Sequence, residues 1–199
     1  MKHFRLIYHL SIVAIILIGI IKLIERDYFL AVTWIFLTPF LMLFPRYFYK
    51  INKIKNNFKT NLVYFLEIII FMFLIMSISS TLYLKYVNIS SDSFMHLFNS
   101  TLSTIFFGTI YYLIRIKYYE SYFKAPTMVE TVLFTALFNL LFAVFLWENF
   151  QYYSDQIIGT QMYYDNFQSI KIDVFFDELL GSMGVITGSI ILYHKLESW

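Results

Sequence analysis

Six stretches of this chain are apolar for long enough to cross a lipid bilayer as helix: Leu6–Ile24, Tyr28–Phe44, Leu62–Leu84, Phe94–Ile114, Met128–Phe150 and Ile172–Leu192. A helical crossing needs roughly 20 residues. Inside lipid every backbone N–H and C=O must find its partner within the protein, so continuous apolar runs of this length favour helices. A transmembrane barrel would alternate apolar and polar residues over shorter segments, and these runs do not alternate. Composition agrees: 59% of residues are hydrophobic and only 14% charged, where a soluble domain carries about a quarter. The expectation is an all-α, polytopic membrane helix bundle of about six transmembrane helices, one domain over residues 1–199.

The basic start and apolar middle of "MKHFRLIYHLSIVAIILIGIIKLI" resemble a signal peptide. The apolar part is too long for one and no small-x-small cleavage site follows, so it reads as an uncleaved first span. "ERD" makes a tight first turn, and Pro126 and Thr127 mark a helix start. Lys and Arg counts set the orientation, because positive loops stay in the cytoplasm. One side holds Lys2, Arg5, Arg46, Lys50, Lys53, Lys55, Lys59, Arg115, Lys117, Lys124 and Lys195; the other holds Lys22, Arg26, Lys85 and Lys171. Both termini are therefore expected in the cytoplasm, with the connections near residues 25, 88 and 160 outside. Tyrosines near the span ends, such as Tyr111, Tyr112, Tyr152 and Tyr153, read as interfacial belts.

The acids are distributed unevenly. Asp92 and His96 lie four residues apart at the start of the fourth run, on one helix face. Glu148 ends the fifth run, with Gln151 and Asp155 following at i+3 and i+7. Asp173 and Asp177 open the sixth run one turn apart. On the expected topology these groups share one depth, near the outer interface. Elsewhere Glu67 stands alone in the third run, and Glu130 sits near the inner end of the fifth. Gly181, Gly184 and Gly188 follow Asp177 at helical spacing and let another helix approach closely, so the face bearing the aspartates is the packed face. Asn99, Ser100 and Ser103 continue from His96 in the same way.

Several chemistries use carboxylates beside an imidazole. They ligate a divalent metal ion, with His96, Glu148, Asp155, Asp173 and Asp177 as the candidate ligands. They perform acid–base catalysis when crowding shifts a pKa, with Asp92, His96, Glu148, Asp173 and Asp177 as candidates. They also relay protons or ions. The plainer alternative has them as hydrated interface residues, with Asp92 and Asp173 as helix N-caps. The chain has no cysteine, which excludes disulfides and thiolate chemistry. It has no G-x-S-x-G, Walker A or H-E-x-x-H motif, and no basic stripe of the kind that binds nucleic acid.

"DSFMHLFNS", "WENFQYYSDQIIGTQ" and "DVFFDELLGSMGVITG", in that order, resemble the motifs of small bacterial membrane proteins of the YjdF-like group and, more remotely, VanZ-like proteins. The resemblance covers roughly residues 90–190. It places Asp92, His96, Glu148, Asp155, Asp173, Asp177 and Gly181 at motif positions, with Gly159–Gln161 matching a Gly-Thr element. Gln151 stands where the group often has a second acid. The resemblance implies a role at the bacterial cell envelope. The leading expectation is a multi-pass protein of the bacterial cytoplasmic membrane with an outward-facing Asp/Glu/His site. It acts on or binds an envelope lipid or lipid-linked intermediate, with a divalent metal ion as the cofactor those ligands suit. Gln151 and Gly181 support the site. The alternatives are an ion-coupled transporter and a non-catalytic resistance or immunity protein partnered with another membrane protein.

Overall fold

The structure, a computed structural model, describes the backbone of residues 2–52, 58–83, 90–119, 127–158 and 170–197, and the side chains of 4–28, 31–47, 63–75, 94–115, 127–154, 156–157 and 172–197. These residues are helical apart from the turn at 25–27 and Thr127, and no strand occurs among them. Among the described residues four helical stretches are long and apolar enough to cross a membrane: Phe4–Ile24, Phe94–Arg115, Met128–Ser154 and Ile172–Glu197. The second expected run lies within helical segments interrupted by a π-turn. The third coincides with a helix whose described apolar stretch, Val63–Ile75, is shorter than a span. The chain divides into two compact units, Met1–Leu74 and Ile75–Trp199.

In the first unit α1 (Lys2–Ile24) ends at the expected turn, where Arg26 takes a φ of 64°. Its amide donates to Leu23 O and that of Asp27 to Lys22 O, so the last carbonyls of α1 are capped. Helix α2 (Tyr28–Val32), a π-turn (Thr33–Leu37) and α3 (Thr38–Asn52) follow. Pro39 explains the π-turn. Its ring has no N–H to give the carbonyl four residues back and clashes with it in an α-helix; the wider turn avoids both, and Thr38 gives its amide and hydroxyl to Thr33 O instead. Helix α4 (Phe58–Tyr83) carries Leu66, Ile69 and Ile70 into the core with Tyr8, Ile15 and Met42. The Tyr8 hydroxyl donates to Met42 O at 2.7 Å.

The second unit is built on a parallel pair, α5 (Ser90–Tyr119) and α8 (Ile170–Glu197), crossed by α6 (Met128–Asn139), a second π-turn (Leu140–Phe145) and α7 (Leu146–Ile158). Helix α6 starts where the sequence indicates: the Thr127 side chain accepts from the Glu130 amide and the Glu130 carboxylate accepts from the Thr127 amide, forming a capping box. Glycines set the α5–α8 spacing. A Cβ on Gly184 would lie 2.2 Å from Leu97 O, and one on Gly188 would lie 2.7 Å from Thr101 O. Backbone therefore lies against backbone along this seam, the small-residue mode of packing in membranes. Across it the Thr101 hydroxyl is shared between Leu97 O at 2.8 Å and Gly184 O at 3.1 Å.

Candidate metal centre

Three helices of the second unit each deliver one ionisable side chain to a common point. His96 comes from the second turn of α5, Glu148 from the first turn of α7 and Asp177 from the second turn of α8. His96 Nδ1 lies 3.2 Å from Glu148 Oε1, and Nε2 lies 3.6 Å from Asp177 Oδ2. One potential ligand atom from each of the three falls within 4.8 Å of the others. Glu148 is 1% exposed and Asp177 is 2% exposed. Asp173, one turn before Asp177 on the same face, is buried as well.

The register that brings Glu148 here is made by the second π-turn. The buried face of α6 steps from Thr131 to Thr135 to Asn139, four residues at a time. The next buried positions are Val144 and Glu148, so the sequence of steps is four, four, five, four. In an uninterrupted α-helix, nine residues from Asn139 would turn Glu148 to the opposite side, since each residue adds about 100°. The π-turn absorbs the extra residue and keeps Glu148 on the buried face. Asn139 is anchored beside it: its side-chain amide donates to Thr135 O, and its Oδ1 accepts from the Ser103 hydroxyl at 2.9 Å.

Both ring nitrogens of His96 face a carboxylate. A neutral imidazole carries one N–H and donates in one direction only. The second carboxylate is then served by a further donor, by a proton of its own, by the second N–H of a charged imidazolium, or by a cation held among the groups. Tetrahedral ligands about 2.1 Å from an ion stand about 3.4 Å apart, so the trio holds an ion once its widest pair, within 4.8 Å, closes by more than an ångström. An imidazole with two carboxylates suits zinc or another transition ion better than Mg2+ or Ca2+, which prefer all-oxygen shells. Asn99, one turn beyond His96, has its Oδ1 buried without a donor among the described residues, a further oxygen near this end of α5.

The other expected site residues divide into three groups. Gln151 is half-buried, one turn after Glu148 on α7. Gly181 packs against Val144 and Ser100, with Val144 Cγ2 at 3.0 Å from where its Cβ would be, which lets α8 approach the π-turn just beyond Asp177. Asp92 and Asp155 lie in α5 and α7, but their side chains, like Gly159–Gln161, fall outside the described residues.

Two features escape a reading of the sequence. Asn139 and Ser103 form a pair bridging α5 and α6; the signal in the sequence is the four-residue spacing of Thr131, Thr135 and Asn139 followed by a gap of nine to Glu148. The partner of Glu67, the lone acid of the third run, is the second such feature. Glu67 Oε1 accepts from Nε of Arg46, in a buried ion pair within the first unit. Arg46 Nη1 also contacts His9 Nε2 at 2.8 Å, and its guanidinium lies 5.8 Å from the Tyr8 ring centroid.

No family model, curated protein or solved structure matches the chain.

Proposed function

We propose that the second unit is a metal centre within a bacterial cytoplasmic-membrane protein, where His96, Glu148 and Asp177 hold a divalent transition ion and act on or bind an envelope lipid or lipid-linked intermediate. The observation that carries the reading is the convergence of an imidazole and two carboxylates from three helices in a buried position. Burying such charges costs several kcal/mol each unless a counter-charge compensates, and ionisable groups at membrane depth generally mark a site. A cation between them supplies that compensation and polarises an oxygen of a bound phosphate or carbonyl. Asp173, one turn away, can orient the His96 side of the centre or serve as a base.

The proposed topology has both termini in the cytoplasm and the metal centre toward the outer leaflet, supported by the eleven-to-four distribution of Lys and Arg across the connections. The helices around the centre present exposed apolar side chains, including Phe94, Phe175 and Leu179, from which a lipid could approach it.

Elemental analysis of the purified full-length protein tests the reading. Wild type should retain about one transition ion per chain, and Asp177→Asn should lose it, while Glu130→Gln, an exposed cap residue, should not. Reconstitution with envelope lipids followed by lipid mass spectrometry then separates turnover from binding. Absence of metal at every loading concentration would end the proposal.

An ion-coupled carrier is the second reading, favoured by the buried polar file Thr131, Thr135 and Asn139 that leads from the centre along α6. Uptake into vesicles driven by an ion gradient and lost in Glu148→Gln would select it.

A further inference from the structure

The first unit contains a separate ionisable group at the end where α1 begins and α3 finishes. We propose that this end binds the phosphate headgroup of an anionic phospholipid. The proposal is independent of the metal centre.

A guanidinium has donors only, so the contact between Arg46 Nη1 and His9 Nε2 makes Nε2 the acceptor. The His9 proton is then on Nδ1, in an exposed ring, and no acceptor for it is found among the described residues. Arg46 Nε serves Glu67, while Nη2 has no acceptor among the described residues. Arg5 lies one turn before His9, on the same face of α1, and is exposed. The Arg46–Glu67 pair cancels its own charge, which leaves Arg5 and the His9 Nδ1–H facing outward above the buried, unfilled Nη2 of Arg46. Several N–H donors without acceptors match the several oxygens of a phosphate, and arginine recognises that group through paired hydrogen bonds.

The surroundings identify the source of the phosphate as lipid. Leu6, Ile7, Leu10 and Val13 flank Arg5 and His9 and are exposed and apolar. An anion reaching His9, in the second turn of a helix long enough to span a membrane, has to enter beside acyl chains. Arg46 is one-third exposed, and a headgroup oxygen that settles on that part gives Nη2 an acceptor once the side chain shifts. Beyond the described side chains the sequence adds Lys50, Lys53, Lys55 and Lys59, with no acid between residues 45 and 59. Basic residues beside a membrane helix attract anionic lipid in general; the Arg5–His9–Arg46 group makes the attraction local.

The test uses the full chain, delipidated and reconstituted with phosphatidylglycerol or phosphatidylcholine. Native mass spectrometry should show phosphatidylglycerol retained roughly thirtyfold over phosphatidylcholine, the effect of about two basic groups at a membrane surface. Arg5→Gln with His9→Gln changes exposed positions and should abolish the preference. Arg46→Gln with Glu67→Gln should abolish it too, because this pair leaves no buried charge alone and so keeps the fold. Lys50→Gln with Lys53→Gln and Lys55→Gln should keep most of it. Equal retention of the two lipids, a preference unchanged in both double variants, loss only in the lysine variant, or equal protection against thermal unfolding by inorganic phosphate would each overturn the proposal.

Discussion

Glu148 is enclosed beside an imidazole and close to a second carboxylate, so its charge state decides what the surrounding helices tolerate. If a cation is its counter-charge, Glu148→Gln has two opposite effects. The metal-free protein should become more stable, because a buried charge is removed. Stabilisation by added zinc should disappear; at a hundredfold excess over the dissociation constant it is worth about 2.7 kcal/mol in wild type. Thermal unfolding with and without metal measures both. At Arg46 the expectation differs. Arg46→Gln leaves Glu67 buried and uncompensated and should cost about 3 kcal/mol, and adding Glu67→Gln should restore most of it. Of these residues, the acids of the last three runs were legible because a carboxylate in an apolar run stands out. The partner of Glu67 was not, since Arg46 lies 21 residues away in the sequence and nothing local relates the two.

Helices α5 and α8 meet through glycine, and this contact determines where His96 and Asp177 stand. Gly184→Ala should therefore lower stability by about 1–3 kcal/mol, the usual cost of overpacking, because the added carbon meets the fixed carbonyl of Leu97. Gly108→Ala should cost less, since it meets Leu192 Cδ2, the end of a side chain that can rotate. Unfolding in graded denaturing detergent ranks the two. The π-turn makes a sharper prediction. Inserting one alanine after the exposed Phe142 adds a residue beyond the one the π-turn absorbs and should turn Glu148 by about 100° relative to α6. Helix content by circular dichroism should persist while zinc-dependent stabilisation vanishes. The glycine spacing on α8 and the cap at Thr127 could be read from sequence, since each is a local pattern within one or two turns. The π-turn could not, because Leu140–Phe145 is uniformly apolar and contains no proline to explain it; its effect shows only where Asn139 and Glu148 prove to share a face.

At the scale of the molecule, long apolar helices and an asymmetric charge distribution are the features a sequence displays most openly, and four of the described helices have the length and composition to cross a membrane. The second and third runs are harder to assess because Pro39 interrupts one of them and Glu67 charges the other. The proposed orientation predicts that an alkaline phosphatase fused after residue 160 is active and one fused after residue 120 is inactive. The metal centre is tested most directly by X-ray absorption on the zinc-loaded full-length protein. The account predicts one imidazole nitrogen and carboxylate oxygens at about 2.0–2.2 Å, with the imidazole signal lost in His96→Gln. A spectrum of oxygen ligands alone, unchanged by that substitution, would contradict it.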